Sequence, residues 1–362
     1  MFKSVYSGRR VLVTGHTGFK GSWLCAWLKM LNAEICGIAL EAETDPAHWK
    51  LLDMDIDSRI CDIRDREKIQ NIFREFQPEI VFHLAAQPIV RLSYEIPAET
   101  FEVNVMGTVN ILDICRSTPG VKAIVAVTSD KCYENREQHT GYCETDPMGG
   151  FDPYSASKGC SELVINSYRR SFFAPAAFGT AHRTLLASGR AGNVIGGGDW
   201  ARDRLIPDIV RAAAGNHPAR VRNPLSTRPW QHVLEPLSGY LQLGAELFLG
   251  NTCAAEAWNF GPDENGVINV GDAAKRMQEF WDEITFVCDT PPDQPHEASL
   301  LHLNCRKANE KLQWHGVLTE KEMFEFTALW YRKFYRENRI VTIDQLEKYI
   351  ELAQKRNLKW TE

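Results

Sequence analysis

Several features that mark specialised classes of protein are missing from this chain of 362 residues. No segment reaches the ~18 consecutive apolar residues that a membrane helix needs, and residues 1–10 lack the apolar stretch of a signal peptide. The chain has no long run of Lys or Arg, and its formal net charge is −6, which argues against a nucleic-acid-binding surface. We therefore expect a cytoplasmic protein that engages neither a membrane nor a nucleic acid.

Paired cysteines and metal-ligand clusters are also missing. The ten cysteines are scattered singly, with no C-x-x-C pair, and Cys25, Cys115 and Cys160 lie within apolar stretches. This usage is typical of small buried hydrophobic residues in a reducing compartment. No group of His and Cys has the spacing of zinc ligands, so no metal site is expected.

Strands and helices alternate regularly along the first half of the chain. A buried strand at Arg10–Thr14 is followed by a glycine turn, a helix over residues 22–31 and a second strand over residues 34–40. Further strands are predicted at 59–62, 79–84, 122–129 and 184–188, and further helices at 65–76, 104–115 and 152–170. This order predicts an α/β fold of the Rossmann type, with a doubly wound parallel sheet.

The alternation ends near residue 190. Three successive glycines at 196–198 and prolines at 207, 218, 224, 229 and 236 interrupt the pattern that follows. We expect a sheet domain over residues 1–190 and a smaller C-terminal domain over residues 191–362 that lines a site, with some later segments returning to the sheet. Residues 319–362 are rich in Lys, Glu and aromatic residues and are expected to form surface helices.

The turn after the first strand has the spacing of a dinucleotide-binding loop. Gly15 permits the tight turn, Gly18 lets the backbone approach a pyrophosphate, and Gly21 lets the helix pack closely on the strand. A turn that only starts a helix is the simpler alternative. The segment after the second strand, residues 41–45, contains three carboxylates and no Arg. It favours NAD over NADP and leaves open which carboxylate binds the adenosine ribose.

A second group of polar residues follows the predicted strand 122–129. Tyr154 and Lys158 are four residues apart on a predicted helix, so the phenol and the ammonium share one face. The cation is expected to lower the pKa of the phenol towards that of a usable general base. Residues 128–131, Thr-Ser-Asp-Lys, end the strand at the sheet edge where α/β proteins bind ligands. A strand end that is merely capped by polar residues is the alternative.

Arginines are concentrated in one stretch of an otherwise acidic chain. Guanidinium groups suit bidentate binding of a diphosphate, and neighbouring aromatic rings offer flat surfaces or donors for a base or a sugar. Solvation of a loop-rich surface would be the ordinary role of any one of these arginines. The residues concerned are Arg204, Arg211, Arg220, Arg222 and Arg228, with Trp230 and His232 close behind.

These motifs together resemble the extended short-chain dehydrogenases/reductases that act on nucleotide sugars, and among them the 4,6-dehydratases. The resemblance rests on Gly15-x-x-Gly18-x-x-Gly21, Leu84-Ala85-Ala86, Asn104 and Tyr154-x-x-x-Lys158. Longer matching blocks occupy residues 15–24, 128–133, 190–200, 203–207 and 227–236, and the similarity extends from the first strand to about Trp314.

The resemblance implies a set of site residues. For catalysis it implies Ser129, Asp130, Lys131, Tyr154 and Lys158. For NAD it implies Gly15, Thr17, Gly18, Phe19, Gly21, Asp62, Ile63, Leu84, Ala85, Ala86, Asn104, Thr128, Tyr154 and Lys158. For a nucleotide-sugar substrate it implies Gln87, Ser129, Asn193, Arg204, Leu205, Arg222, Arg228, Trp230 and His232. It also implies a homodimer or homotetramer and a role in making dideoxysugars for lipopolysaccharide O-antigen.

The sequence departs from the family pattern at one catalytic position. The dTDP-glucose dehydratases carry an Asp-Glu pair where this chain has Asp130-Lys131, and their Glu is assigned to removal of the sugar C5 proton. Lys131 could act as that base if its surroundings keep it neutral for part of the time. It could instead stabilise an enolate while Tyr154 or water carries the proton.

Two other functions fit parts of the pattern. A nucleotide-sugar 4-epimerase needs Tyr154 and Lys158 but no acid/base pair for water loss, so Asp130-Lys131 favours a dehydratase. A non-catalytic NAD-binding regulator could share the fold, and the intact set of Tyr154, Lys158 and Ser129 argues against it.

Overall fold

The structure is a computed structural model that describes residues 1–138, 140–262, 267–288 and 301–362. Its strands, in chain order, are β1 (Arg10–Thr14), β2 (Glu34–Ala39), β3 (Asp57–Ile60), β4 (Ile80–His83), β5 (Ala123–Val127), β6 (Leu185–Ala191), β7 (Val194–Ile195), β8 (Ala219–Val221), β9 (Thr227–Pro229), β10 (Gln231–His232), β11 (Ala257–Phe260), β12 (Val267–Asn269) and β13 (Phe286–Cys288).

The α-helices are α1 (Phe19–Met30), α2 (His48–Leu52), α3 (Arg66–Phe76), α4 (Val90–Glu95), α5 (Pro97–Phe101), α6 (Gly107–Arg116), α7 (Pro153–Ser171), α8 (Leu205–Ala214), α9 (Leu234–Phe248), α10 (Val270–Phe280), α11 (Glu320–Glu337) and α12 (Thr342–Lys355). Short 3-10 helices, among them Asp130–Cys132, and π-helices at Glu102–Met106 and Ala308–Leu312 complete the described elements.

Seven strands form one parallel sheet in the order β11-β6-β5-β4-β1-β2-β3. The apolar side chains of β1, from Val11 to Val13, have no solvent exposure, because helices cover both faces of a parallel sheet. The strand order reverses between β1 and β4, and this is where α/β sheets open a crevice for a ligand. The predicted Rossmann-type α/β fold is confirmed.

The sheet continues past the midpoint of the chain. Residue 190 lies inside β6, and β11, from the later half, pairs with β6 in parallel. Among the described residues, the other strands of the later half form three small two-stranded pairs, β7 with β10, β8 with β13 and β9 with β12. These small pairs lie beyond the carboxyl ends of the main strands, where the chain has left the regular alternation.

The last segment of the chain packs inside the molecule. Trp330, Tyr331 and Tyr349 of α11 and α12 are fully buried, and the indole Nε1 of Trp330 donates to Oγ1 of Thr342 at 3.0 Å. The predicted helices of residues 319–362 are present, and each exposes one face and buries the other. The aromatic residues that interleave with Lys and Glu recur at helical spacing, and they form the apolar face that packs against the rest of the protein.

The structure also bears on what the sequence analysis expected of the cysteines, of membrane-spanning helices and of metal sites. All ten cysteines are free, and six of them, including Cys25 and Cys115, are buried. Within the described ranges, no helix combines the length and apolar character needed to cross a bilayer. The same part of the chain contains no cluster of three or more His, Cys, Asp or Glu side chains suited to hold a metal ion.

Candidate active site

The glycine turn lies between β1 and α1 at the reversal of the strand order. Gly15 has φ +80°, a left-handed conformation that favours glycine. A Cβ at Gly21 would lie 2.0 Å from the carbonyl oxygen of Gly15, so no larger residue fits this contact between helix and turn. Helix α1 starts after Gly18 with no side-chain cap and no acidic residue in its first turn. Its first N–H groups are therefore available to an anion such as a diphosphate.

The ends of β1 and β4 are held together beside this turn. Oγ1 of Thr14 accepts hydrogen bonds from the backbone N–H groups of Leu84 and Ala85, both at 3.1 Å. The same oxygen lies 2.7 Å from Nδ1 of His83, whose pKa burial lowers to about 3. A Cβ on Gly15 would lie 2.8 Å from the nitrogen of Ala85. The segment Leu84-Ala85-Ala86 thus lies directly against the turn, and Thr14 and His83 hold it there.

The remaining residues predicted for the cofactor surround the same crevice. The hydroxyl of Thr17 donates to the carbonyl of Leu40 at the end of β2, at 2.9 Å. Asp62, after β3, accepts from Nη2 of Arg64 at 2.6 Å, and this pairing holds the pKa of Asp62 below its ordinary value. Ile63 packs closely on α6, because a Cβ added to Gly107 of that helix would lie 2.3 Å from Cδ1 of Ile63. All three residues follow or face carboxyl ends of strands.

The side chains of Asn104 and Gln87 form hydrogen bonds between the loop after β4 and the neighbouring helices. Oδ1 of Asn104 accepts from the N–H of Gln87 at 2.8 Å, and Nδ2 donates to Oγ of Ser157 at 2.8 Å. Nε2 of Gln87 donates to Oγ1 of Thr100 at 2.9 Å. Both residues are buried. They fix the loop after β4 against α7, and Asn104 lies in a π-helix where the sequence predicted regular α-helix.

Tyr154 and Lys158 lie on one face of α7, as the spacing predicts. The helix is capped by Asp152, whose Oδ1 accepts from the N–H of Ser155 at 2.9 Å. Both Tyr154 and Lys158 are buried, and the ammonium lies 6.0 Å from the centroid of the phenol ring. The helix therefore holds the phenol and the ammonium together inside the site.

Ser129 and Asp130 meet Tyr154 from the end of β5. The hydroxyl of Ser129 donates to Oδ1 of Asp130 at 2.9 Å, and the Ser129 side chain also lowers the pKa of the Tyr154 phenol. Oγ of Ser129 also accepts from the N–H of Lys131 at 3.2 Å and so caps the short helix Asp130–Cys132. Asp130 is buried and Lys131 is half-buried.

Burial dominates the electrostatics of these groups. It raises the pKa of Tyr154 to about 12, against the opposing effects of the Ser129 side chain and the charge of Arg204. It lowers the pKa of Lys158 to about 8. It raises the pKa of Asp130 above its ordinary value, against the charge of Lys131. The pKa of the phenol is thus raised in this structure, where the sequence analysis expected Lys158 to lower it, because desolvation of the phenolate outweighs the nearby cations.

A buried network that the sequence analysis missed supports this edge of the sheet. Oε2 of Glu162 lies 2.8 Å from Nη2 of Arg190 and accepts from Oγ of Ser188 at 2.9 Å. Oε1 of Glu162 accepts from the hydroxyl of Thr128 at 2.5 Å. Thr128, predicted to contact the cofactor, uses its hydroxyl to anchor the end of β5. Glu162 lies four residues after Lys158, and this helical spacing is the signal that could have revealed it.

Three of the five arginines are paired with carboxylates, where the sequence analysis considered all five as a cluster available to a diphosphate. Nη1 of Arg204 lies 3.1 Å from Asp199, and Nη1 of Arg222 lies 3.2 Å from Asp203. Arg211 and Asp208 form a further pair.

The other predicted substrate residues lie near these pairs. Leu205 begins α8, and the carbonyl of Asn193 accepts from the N–H of Gln231 at 3.1 Å. Nη1 of Arg228 donates to the carbonyl of Thr227 at 2.8 Å, and Arg220 is exposed.

Trp230 and His232 differ most from the sequence predictions. His232 has no exposed surface, and its ring packs edge-on against Trp23 and Phe326 with centroids 6.0 and 5.7 Å apart. Trp230 is 6 % exposed, and its Nε1 donates to the carbonyl of Ile268 at 3.3 Å. Neither ring presents a flat surface to a ligand in this structure, because both lie in the apolar core that joins the small strand pairs to the sheet.

A parallel Rossmann sheet, a glycine turn at its switch point and a Tyr-x-x-x-Lys helix define the class of extended short-chain dehydrogenases/reductases. The model of the GDP-mannose 4,6 dehydratase family matches residues 12–327. The CDP-glucose 4,6-dehydratase of Salmonella typhimurium is 50 % identical over 337 residues, which are 92 % of this chain and 93 % of that protein. The chain therefore belongs to this family of nucleotide-sugar 4,6-dehydratases.

Two solved structures illustrate the shared fold. An epimerase from Methanothermobacter thermautotrophicus has a TM-score of 0.80 with 23 % identity, covering 93 % of this chain and 96 % of that one. The dTDP-glucose 4,6-dehydratase of Bacillus anthracis, solved in complex with NAD, has a TM-score of 0.72 with 20 % identity, covering 90 % and 97 %.

Proposed function

We propose that the protein is an NAD-dependent hydro-lyase that converts CDP-D-glucose to CDP-4-dehydro-6-deoxy-D-glucose and water. The observation that carries this proposal is the meeting of Ser129 and Asp130 with Tyr154 at the end of β5, one helical turn from Lys158. The identity of the sugar nucleotide is supported by the 50 % identical relative, which is a CDP-glucose 4,6-dehydratase.

The crevice beside the glycine turn fits a dinucleotide. The open N-terminus of α1 after Gly18 would hold the pyrophosphate, and Thr17, Phe19, Asp62, Ile63 and the segment 84–86 would line the rest of the cofactor. Lys158 would bind the nicotinamide ribose. NAD, when bound, supplies a hydride acceptor for C4 and a hydride donor for C6.

Oxidation at C4 needs a base for the 4-hydroxyl proton. Tyr154 takes this role as the phenolate, and Ser129 or Thr128 hydrogen bonds the same oxygen. Because burial raises the pKa of the phenol to about 12, the phenolate depends on positive charge from its surroundings. Lys158 supplies part of that charge.

Loss of water follows once C4 is a ketone, because the ketone acidifies the C5–H bond. Asp130, whose pKa burial raises, gives a proton to the departing 6-hydroxyl. Lys131 lies next to it and has two roles open to it, removal of the C5 proton or stabilisation of the enolate charge. Return of the hydride to C6 then completes the 6-methyl group.

The substrate occupies the region between the sheet and the small strand pairs. Arg204, Arg222 and Arg228 bind the diphosphate, and for the first two this requires exchange of Asp199 and Asp203 for phosphate oxygens. Gln87, Asn193 and Leu205 line the sugar nucleotide. On this basis we divide the chain into an NAD-binding domain, residues 1–190, and a substrate domain, residues 191–362, from which β11 returns to the sheet of the first domain.

The wider assignment rests on the resemblance to this family that the sequence motifs carry. We place the enzyme in the cytoplasm as a homodimer or homotetramer. We assign its product to the synthesis of 3,6-dideoxyhexoses for lipopolysaccharide O-antigen.

One experiment tests the proposed activity and its alternatives. Purified protein is incubated with NAD and a panel of nucleotide-glucoses, and formation of an alkali-labile 4-keto chromophore is measured. The proposal predicts the chromophore with CDP-glucose alone. If the chromophore forms with another nucleotide-glucose, the assigned substrate changes. If the product is a CDP-hexose epimeric at C4, the protein is an epimerase. If no nucleotide-glucose is turned over, a non-catalytic regulator is favoured.

A further inference from the structure

Lys20 occupies a position that does not suit a lysine. It is the second residue of α1, and a cation at a helix N-terminus is disfavoured by the partial positive charge there. The side chain is half-buried, and in the described part of the chain its ammonium has no hydrogen bond or ion pair. A residue whose charge is unfavourable at its position in a helix is often found at a functional site.

The charge of the Lys20 ammonium interacts with groups of the candidate site. The ammonium lies 6.0 Å from the ring centroid of Tyr240 on α9, and its charge acts on Asp130. The hydroxyl of Tyr240 is itself fully buried, and among the described residues it has no hydrogen-bond partner. Burial, followed by the charges of Tyr154 and Asp130, holds the pKa of Tyr240 above its ordinary value. Lys20 thus packs on the ring of Tyr240, and the charge of Asp130 acts on both residues.

Several charges set the protonation of Lys20. Burial and the charges of Arg204 and Lys158 lower its pKa to about 7, while Asp130 opposes them. Lys131 acts on the same Asp130 carboxyl. Lys20 is therefore a free amine for part of the time at neutral pH, and a group that titrates near the working pH is the most effective general base.

We propose that Lys20 is the base that removes and returns the C5 proton, acting as a pair with Asp130. This inference rests on the proposed function. It leaves Lys131 with the second of its two roles, electrostatic stabilisation of the enolate.

The proton balance of this pair closes over one cycle. The amine of Lys20 takes the C5 proton, the electron pair of the C5–H bond forms the C5=C6 double bond, and the C6–O bond breaks as Asp130 gives its proton to the leaving hydroxyl. When hydride returns to C6, the ammonium of Lys20 gives its proton to C5. Asp130 regains a proton from Tyr154 through the hydroxyl of Ser129, which donates to Asp130 and lowers the pKa of Tyr154. Over one cycle the proton removed from O4 thus replaces the proton that leaves with the water.

Single-turnover kinetics with CDP-glucose test the role of Lys20 as a function of pH. Oxidation at C4 is followed by the rise in reduced-nicotinamide absorbance and elimination by its decay. In the wild type, the elimination rate should rise with pH through about 7, since the amine must be unprotonated. Lys20→Met should keep the oxidation phase, slow elimination by about 100-fold or more and lose the rising limb. Lys20→Arg should fail in the same way, because a guanidinium cannot be deprotonated.

The controls separate this inference from its alternatives. Lys29→Met, at an exposed position on the same helix, should behave as the wild type. Normal elimination in Lys20→Arg would mean that only the positive charge of residue 20 is needed, and it would overturn the inference. If Lys20→Met does not fold, the result for Lys20→Arg decides between the two outcomes. Loss of the rising limb in Lys131→Met with its retention in Lys20→Met would assign the base to Lys131. Failure of the wild type to form any 6-deoxy product would instead overturn the proposed function.

Discussion

The hydroxyl of Ser129 donates a hydrogen bond to Oδ1 of Asp130 at 2.9 Å. The same side chain lowers the pKa of the Tyr154 phenol, so one small residue connects the group proposed to act on O4 with the group proposed to act on O6. All three residues are buried. The proposed exchange of protons between the two halves of the reaction can therefore be tested at these side chains.

Replacement of Tyr154 by Phe tests the first half of the reaction. The ring keeps its packing in Tyr154→Phe and loses only the titrating hydroxyl, so NAD binding should persist while C4 oxidation falls by about 100-fold or more. Cofactor affinity is measured by titration and oxidation by single-turnover absorbance. Turnover like that of the wild type would remove Tyr154 from the mechanism.

Asp130 and Lys131 are assigned to elimination, so their loss should leave oxidation intact. Asp130→Asn removes the acid for the 6-hydroxyl, and Lys131→Met removes a charge that stabilises the enolate. With saturating substrate, each variant should accumulate reduced nicotinamide in a single turnover and form little 6-deoxy product. If both variants stop before any reduced nicotinamide appears, the two residues serve binding or oxidation.

The buried pair of Glu162 and Arg190 should contribute strongly to stability. Removal of one partner leaves an uncompensated buried charge, so Glu162→Gln should lower the free energy of unfolding by about 3–5 kcal/mol. Urea denaturation measures this change. The matched control is Glu310→Gln, which breaks an exposed pair with Arg306 of 2.6 Å and should leave the denaturation midpoint unchanged. Equal stability of the two variants would contradict the assigned importance of the buried pair.

The parts of the site that follow from local spacing could be predicted from the sequence. The glycine turn and the pairing of Tyr154 with Lys158 depend on residues at most six positions apart, and both lie on elements that the alternating pattern predicts. The end of β5 follows from the same pattern, because parallel strands bring their carboxyl ends to one edge.

Features that depend on tertiary packing could not be predicted in the same way. Glu162 and Arg190 lie on α7 and β6, and only their packing brings them together. Burial of His232 depends on aromatic residues from distant segments such as Trp23 and Phe326. The sequence analysis missed the pairing of Arg204 with Asp199, because it considered the arginines without the carboxylates that lie close to them in the chain.

The fate of the hydride provides a test of the complete reaction. Because the cofactor accepts hydride from C4 and gives it back to C6, it is regenerated in each cycle, and one NAD should support many turnovers without net reduction. CDP-glucose deuterated at C4 should give product labelled in the 6-methyl group. In heavy water C5 should gain a solvent deuteron, since its proton passes through an acid/base group. Both positions are read by mass spectrometry and NMR of the product.

A mixture of labelled and unlabelled substrate provides the control for this experiment. The buried position of Tyr154 and Asp130 implies that oxidation and hydride return occur in one closed site, so no crossover of label between molecules is expected. A simple dehydrogenase would leave the label in free reduced cofactor, and an epimerase would return it to C4. Label at either of these positions, with none at C6, would rule out a dehydratase. Label at C6 with crossover would retain the reaction and show that the cofactor leaves the site between its two hydride transfers.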